Sequence, residues 1–248
     1  MSIIRPGGVV LTKKAIEKAE LPEGARVLDV GCGEGDTVAI LKEEYGFDAI
    51  GVDKSSFLIS KGRAKHEDLD LRCMEAELLD FDSKTFDAVF MECSLSVFRL
   101  QEDAVFEAYC LLKPGGKLIV TDIFRKNPDP GQIEEMLKAS REKANKPRID
   151  QDCSQNEKPS FTMLDGAFVI DLLAGMMENI GFEIIYFEEI ENALASFAAQ
   201  AIMDHGSLAD YFKDNIPDGA DPSAFYACQA LKDAKQLSYF LMIMKKPE

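Results

Sequence analysis

Residues 27–36 read VLDVGCGEGD, and this stretch decides the fold of the chain. A short apolar run ends around Asp29 and is followed by three alternate glycines that begin at Gly31. Glycine lets the backbone turn sharply and lets a ligand come close to the main chain. A helix-length segment follows at 37–45, and the free amides at a helix start favour an anionic ligand group. The stretch therefore predicts a strand, a glycine-rich loop and a helix that together bind a nucleotide.

The spacing of the glycines separates two nucleotide ligands. A dinucleotide fingerprint needs G-x-G-x-x-G, which would put its third glycine where Asp36 stands and so set a carboxylate against a pyrophosphate. The pattern here is G-x-G-x-G, preceded by Asp29, and a carboxylate there suits the ammonium and sulfonium charges of S-adenosylmethionine. Asp53 follows Gly33 by 20 residues at the end of the second predicted strand, where ribose hydroxyls need an acceptor.

Strand and helix signals alternate along the chain. Five strands are predicted in the first half, at 26–30, 48–53, 69–74, 86–92 and 117–124. Helix-length segments lie between them at 37–45, 57–67 and 101–112. The alternation resumes after residue 165 with helices at 166–180, 192–203 and 223–235 and strands at 182–189 and 237–244. This order predicts right-handed βαβ units and a parallel sheet.

We predict one domain over residues 1–248, with two additions to the α/β pattern. Residues 1–20 form an N-terminal cap and a helix at 11–19. Residues 125–165 form an insertion or lid that is polar, rich in proline and helical at 132–143. The N-terminal RPGG motif has two interpretations: it is disordered, or it folds over the ligand cleft so that Arg5 meets an anionic substrate group.

Composition excludes several classes of function. The chain has 248 residues, 46% hydrophobic and 29% charged, which is typical of a globular protein. Its 28 basic and 44 acidic residues give a net charge of −16, which opposes binding to nucleic acid or to an anionic membrane. No apolar run of about 18 residues is present, so we expect no membrane insertion.

The cysteines and histidines predict a reduced, metal-free protein. The six cysteines contain no CxxC pair, and the chain has only two histidines, so we expect no metal site. Reduced thiols and the absence of a visible signal peptide favour a cytoplasmic location. We expect a small-molecule substrate as the partner, and the sequence leaves a homodimer open.

Five segments in order carry a family resemblance: 27–35 (VLDVGCGEG), 51–53 (GVD), 74–81 (MEAELLDF), 86–98 (FDAVFMECSLSVF) and 111–124 (LLKPGGKLIVTDIF). With them the chain resembles the class I S-adenosylmethionine-dependent methyltransferases, in particular the small-molecule branch of ubiquinone/menaquinone and arsenite methyltransferases. The resemblance implies an α/β fold with a doubly wound, mostly parallel seven-stranded sheet, an antiparallel final strand and a helical insertion. It also implies methyl transfer from S-adenosylmethionine to a small-molecule acceptor, with S-adenosylhomocysteine as product.

The resemblance assigns cofactor contacts to the glycine loop. Asp29, Gly31 and Gly33 would hold the methionine end of S-adenosylmethionine. Cys32 lies between the two glycines as compact filler within the same cofactor-binding set. Asp53 would bind the ribose hydroxyls.

The resemblance also assigns the adenine and methyl ends. Lys54 would lie beside the adenine, and Glu75 and Ala76 would face its amino edge. Glu92 and Cys93 follow the fourth strand, would line the pocket near the methyl group and are the predicted catalytic residues. Glu92 also belongs to the predicted cofactor-binding set.

Several alternatives remain open from the sequence. The segment 91–94 (MECS) departs from the small polar residues and histidine pair common in the family, which keeps a cofactor-binding protein without transfer activity in view. A nicotinamide-dependent oxidoreductase is disfavoured by Asp36. Cys93 is either a small core residue or a soft contact for a thiol or metalloid substrate, and it could form a thiol pair with Cys153.

Overall fold

The computed structural model describes residues 5–145, 166–207, 210–211 and 236–248. The helices of this part are α1 (Gly8–Ala19), α2 (Asp36–Glu43), α3 (Ser56–Lys65), α4 (Gln101–Leu111), α5 (Pro130–Ala144), α6 (Ile170–Ile180) and α7 (Ala193–His205). The strands are β1 (Arg26–Val30), β2 (Asp48–Asp53), β3 (Asp70–Cys73), β4 (Phe86–Glu92), β5 (Leu112–Arg125), β6 (Glu183–Ile190) and β7 (Leu237–Lys245). A short 3-10 turn, Leu95–Val97, follows β4.

The strands form one seven-stranded sheet in the order β3-β2-β1-β4-β5-β7-β6. The strands from β1 to β5 pair in parallel, and β7 runs antiparallel to both β5 and β6. The predicted doubly wound, mostly parallel sheet with an antiparallel final strand is therefore confirmed. The strand order reverses at the centre, where β1 lies beside β4. Ligands of open α/β sheets bind at such a switch point, outside the carboxyl ends of the strands.

Apolar side chains cover both faces of the central strands. On one face Val89 and Phe240 belong to the core beneath α4 and α6, and on the other Phe90 and Tyr239 belong to the core beneath α1 and α2. A strand buried on both faces must be apolar at nearly every position. This explains why the final strand reads as the continuous apolar run LSYFLMIM over 237–244.

Two helices begin three or more residues from their predicted starts. α1 starts at Gly8, three residues early, directly after a turn in which Gly7 has a φ of 81°. α6 starts at Ile170 instead of 166, because the preceding residues pair with β5: the Phe168 amide donates to the Ile123 carbonyl at 3.0 Å. The predicted helix at 223–235 lies outside the described residues.

The described part of the predicted insertion is the helix α5. Asp129 caps it in a capping box with Gln132, and Pro130 occupies its first turn. Its last turn docks on the segment after β4, where the Lys143 ammonium donates to the Ser96 carbonyl at 2.8 Å. The division of the chain into a cap, a domain and a lid stays a prediction. Within the described ranges, no helix is long and apolar enough to cross a membrane.

Candidate active site

The three glycines of the loop after β1 have different surroundings. All three have positive φ values, 80° at Gly31, 56° at Gly33 and 83° at Gly35, which favour glycine. A Cβ on Gly31 would lie 2.5 Å from the Ser94 Cβ, and one on Gly35 would lie 2.8 Å from a Leu71 methyl. A Cβ on Gly33 would meet nothing within 4 Å. Gly31 and Gly35 therefore serve packing, whereas Gly33 borders open space that a ligand can use.

Asp53 fastens this loop to the end of β2. Its carboxylate accepts hydrogen bonds from the Gly33 amide at 3.0 Å and from the Ser55 amide at 2.8 Å. The Gly31 amide donates to the Val52 carbonyl at 2.8 Å, so a second contact ties the loop to the same strand. Burial raises the pKa of Asp53, and the two amides oppose that shift. The structure thus places Asp53, the predicted acceptor for the ribose hydroxyls, directly against the glycine loop.

Asp29 is a buried carboxylate near the end of β1, with 3% of its surface exposed. Burial raises its pKa to about 8, and the negative charges of Glu92 and Asp53 act in the same direction, while Arg5 opposes them. Among the described residues, no hydrogen bond reaches the Asp29 carboxylate. A buried carboxylate with a raised pKa gains from a cationic ligand group beside it.

Glu92 ends β4 and connects three separate parts of the chain. Its carboxylate accepts from the Arg5 guanidinium at 2.5 Å, from the Thr12 hydroxyl of α1 at 3.1 Å and from the Thr37 hydroxyl of α2 at 3.0 Å. The Glu92 side chain is 2% exposed. Of the two interpretations of the N-terminal motif, the structure shows the folded one, but the anion that Arg5 meets is Glu92 of the protein itself.

Cys93 lies beside Glu92 in a strained backbone conformation, with a φ of 57°. Its amide donates to the Thr121 carbonyl at 2.6 Å. Burial and the charge of Asp122 raise the pKa of the thiol to about 12, although a hydrogen bond with Tyr239 opposes the shift. The thiol is therefore protonated at neutral pH, which argues against a thiolate nucleophile.

Cys32 is likewise a poor candidate for thiol chemistry. Burial is the main cause that raises its pKa far above that of an ordinary thiol, and the Asp29 carboxylate adds to it. Its amide donates to the Val52 carbonyl at 3.0 Å, which makes its backbone part of the loop. The proposed pairing of Cys93 with Cys153 involves a residue outside the described ranges.

The predicted adenine contacts lie at the same edge of the sheet. The Met74 amide donates to the Asp53 carbonyl at 3.1 Å, which sets the segment after β3 beside the end of β2. In that segment Ala76 is buried and Glu75 is half-buried, in a bridge with Leu78. Lys54 is exposed to solvent. Placement at this edge agrees with the predicted roles but does not test them.

The Asp36 carboxylate has two partners at the C-terminal end of α3. Its carboxylate accepts from the Lys65 ammonium at 2.7 Å and lies 3.1 Å from the His66 imidazole. These hydrogen bonds outweigh burial and lower the pKa of Asp36. An ionised carboxylate at the start of α2 is unfavourable for a pyrophosphate, as the sequence indicated.

The sequence analysis did not single out three side chains that contact the predicted site residues from distant parts of the chain. Thr12, Thr37 and Tyr239 contact the predicted residues, yet each looks like an ordinary helix or strand residue in the sequence. A weak signal existed for Thr12, because it is a polar residue on the buried face of an amphipathic helix. The other contacts join residues far apart in the chain and have no local pattern.

Comparison with known proteins finds similarity to methyltransferases. Residues 28–120 match a family model described as a methyltransferase domain. The matched segment runs from β1 into β5, and the seven-stranded sheet has the architecture that the resemblance to class I S-adenosylmethionine-dependent methyltransferases implies.

Individual relatives cover part of the chain. Phosphoethanolamine N-methyltransferase 3 of Arabidopsis thaliana is 33% identical over 135 residues, which is 51% of this chain and 27% of that protein. The arsenite methyltransferase of Halobacterium salinarum is 27% identical over 175 residues, or 67% of this chain and 39% of that protein. The chain thus spans about a quarter to two fifths of the length of these curated relatives.

A solved structure extends the similarity to the whole fold. Haemonchus contortus phosphoethanolamine N-methyltransferase 2, in complex with S-adenosyl-L-methionine, superposes with a TM-score of 0.70 at 17% identity. The superposition covers 100% of this chain and 54% of that one. At this identity the likeness concerns the fold.

Proposed function

We propose that this protein transfers a methyl group from S-adenosylmethionine to a small-molecule acceptor. The observation that carries the proposal is the buried Asp29 carboxylate beside the glycine loop, whose charge the described residues leave without a hydrogen-bond donor. The family match and the relatives that are named as methyltransferases support the same activity.

The residues at the strand ends fit this cofactor. The open space at Gly33 would admit it against the loop backbone, and Asp29 would balance one of its positive charges. Asp53 already accepts two amides, and a carboxylate has about four lone-pair positions, so acceptor capacity remains for ribose hydroxyls. Glu75 and Ala76 would lie along the adenine.

Bound S-adenosylmethionine supplies an electrophilic methyl group on a sulfonium, so the protein's task is mainly to position the acceptor. Orientation of two reactants contributes up to about 7–11 kcal/mol in ideal cases. Glu92 and Cys93 would line the pocket around the methyl group of the cofactor. The Glu92 carboxylate would be fixed there by its three hydrogen-bond donors, and the Cys93 side chain would contribute a protonated, polarisable thiol.

A cleft at the same edge of the sheet would receive the acceptor. It encloses about 410 Å³ between the N-terminal segment, the end of β6 and α7, and its walls include Arg5, Gly8, Glu191, Phe197 and His205. Small-molecule sites in proteins have volumes of roughly 300–1,000 Å³, so this size supports a small acceptor. The mixed apolar and charged lining is compatible with an amphipathic molecule.

Location and partners complete the proposal. A cytoplasmic location is supported by the free thiols of Cys32, Cys73, Cys93 and Cys110 among the described cysteines. The net charge of −16 opposes nucleic acid as a substrate. A homodimer is a further proposal, and light scattering after size-exclusion chromatography tests it.

The activity is tested by following S-adenosylhomocysteine formation with a panel of amine, thiol, hydroxyl and metalloid acceptors. The proposal expects turnover with at least one acceptor and its loss in Asp29→Asn, with turnover retained in Asp48→Asn, an exposed position at the opposite end of β2. Tight cofactor binding without turnover on any acceptor would instead favour a binding protein that has the methyltransferase fold.

A further inference from the structure

Arg5 is drawn into the protein although it lies near the start of the chain. Its side chain is 13% exposed, and its guanidinium donates to Glu92 and, at 3.0 Å, to the Thr37 hydroxyl. It also donates to the Thr12 hydroxyl. The charged end of the side chain therefore has partners on β4, α1 and α2.

The turn between Arg5 and α1 is built for this position. Gly7 and Gly8 have φ values of 81° and 51°, and the Gly8 amide donates to the Arg5 carbonyl at 3.0 Å. A Cβ on Gly7 would lie 2.5 Å from a Leu11 methyl. The backbone thus folds back so that the Arg5 side chain passes beneath the first turn of α1.

The stability that the Arg5–Glu92 ion pair contributes depends on how many of its polar atoms have hydrogen-bond partners. Burying an ion pair costs several kcal/mol per ion unless hydrogen bonds satisfy both partners. The two threonine hydroxyls supply additional hydrogen bonds to Glu92 around the Arg5 contact. The N-terminal segment is consequently held at the end of β4 by the Arg5–Glu92 pair and its two threonine hydroxyls, although the buried Arg5 Nε has no hydrogen-bond partner among the described residues.

Arg5 also stands between two spaces. On one side lie the strand ends, where its charge acts on Asp29. On the other side it lines the 410 Å³ cleft together with Gly7, Gly8 and residues of α7. A side chain in this position borders both the proposed cofactor site and the proposed acceptor cleft.

We propose that Arg5 is a positioning residue that acts through Glu92: it closes the N-terminal segment over the cofactor-binding edge and forms one wall of the adjoining acceptor cleft. The inference rests on the proposed function and adds to it the part of the chain that must open for cofactor exchange. The segment opens to release S-adenosylhomocysteine and closes again on S-adenosylmethionine.

The test is hydrogen exchange of residues 5–19 with and without S-adenosylhomocysteine, together with its dissociation constant, in the wild-type protein and in Arg5→Lys. Lysine keeps the charge but cannot reach several acceptors at once. We expect the ligand to slow exchange in this segment at least about tenfold in the wild type. In Arg5→Lys we expect weaker protection and an affinity reduced about fivefold or more.

Two further variants keep a folding defect apart from the positioning role. Thr12→Val removes one hydroxyl of the cluster at nearly constant volume and should show the same changes in smaller measure. Arg141→Met removes an exposed arginine of α5 and should change neither quantity. Thermal melting of each variant checks that the fold is intact.

The outcomes separate this inference from the proposed function. If wild-type protein binds S-adenosylhomocysteine but Arg5→Lys shows the same affinity and the same protection, Arg5 has no positioning role. If the wild type binds neither S-adenosylmethionine nor S-adenosylhomocysteine, the proposed function is wrong and the role of Arg5 is wrong with it.

Discussion

Asp29 and Glu92 lie at the carboxyl ends of two adjacent parallel strands, but only Glu92 has a cation of its own. The strands pair with Asp29 opposite Phe90, two residues before Glu92. Arg5 contacts Glu92 at 2.5 Å, whereas the charge of Glu92 helps to raise the pKa of Asp29 to about 8. The site thus contains two buried carboxylates and one buried guanidinium, which prepares it for one additional positive charge.

The raised pKa of Asp29 predicts that cofactor binding releases a proton. At pH 7 a carboxyl with a pKa of about 8 is mostly protonated, and a cation beside it favours the ionised form. Calorimetric titration with S-adenosylmethionine in two buffers of different ionisation enthalpy should show release of nearly one proton, and Asp29→Asn should abolish it. Equal binding enthalpies in both buffers would contradict this assignment.

The same group predicts a pH dependence of stability. The folded state holds the Asp29 proton up to about pH 8, while the unfolded chain loses it near pH 4, so the free energy of unfolding contributed by this group falls as pH rises between these values. The slope is at most about 1.4 kcal/mol per pH unit. Urea unfolding between pH 6 and 8 should give a flatter profile for Asp29→Asn, and an unchanged slope would refute the raised pKa. Asp48→Asn is the exposed control.

From the glycine loop we predict that two similar substitutions affect different properties of the protein. Gly31→Ala sets a Cβ 2.5 Å from the Ser94 Cβ and should lower the free energy of unfolding by more than about 2 kcal/mol. Gly33→Ala meets open space and costs only the left-handed backbone strain of about 1–2 kcal/mol, but its methyl group enters the cofactor space. It should weaken cofactor binding at least about tenfold. Cofactor affinity equal to wild type in Gly33→Ala would show that this space is not used.

We predict that Lys143 anchors α5 to the segment after β4. Its buried ammonium donates to the Ser96 carbonyl, and removal of a buried charged donor costs about 1.5–3 kcal/mol of local stability. Hydrogen exchange over 130–144 should therefore become faster in Lys143→Met. Lys138→Met is the matched control, because Lys138 is exposed on the same helix and only approaches Glu142 at 4.0 Å. If both variants exchange alike, Lys143 does not anchor α5.

Much of the fold could be predicted from the sequence because its signals are local. The apolar runs, the glycine loop and the alternation with helices predict the succession of elements along the chain and the parallel direction of the strands. The start of α6 was misplaced because Phe168 pairs with β5, which no local pattern shows. The apolar residues from 166 onward are equally compatible with a helix and with an added bridge to the sheet.

The arrangement of the candidate site could be predicted where backbone geometry determines it and not where distant side chains meet. The proximity of Gly33 and Asp53 could be predicted because the loop and the strand end have a fixed spacing. The partner of Arg5 could not be identified, because Glu92 is 87 residues away and the contact depends on how α1 crosses the sheet. A threonine such as Thr37 has no feature in the sequence that marks it as a ligand of a buried carboxylate.

The central claim is that this edge of the sheet binds S-adenosylmethionine. Calorimetric titration with S-adenosylmethionine, S-adenosylhomocysteine and NADH tests it most directly, with Asp53→Ala as the site variant and Asp48→Ala, at the other end of the same strand, as the control. We predict micromolar binding of the first two ligands, lost in Asp53→Ala and kept in Asp48→Ala. Binding of NADH alone, or of none of the three, would contradict the account.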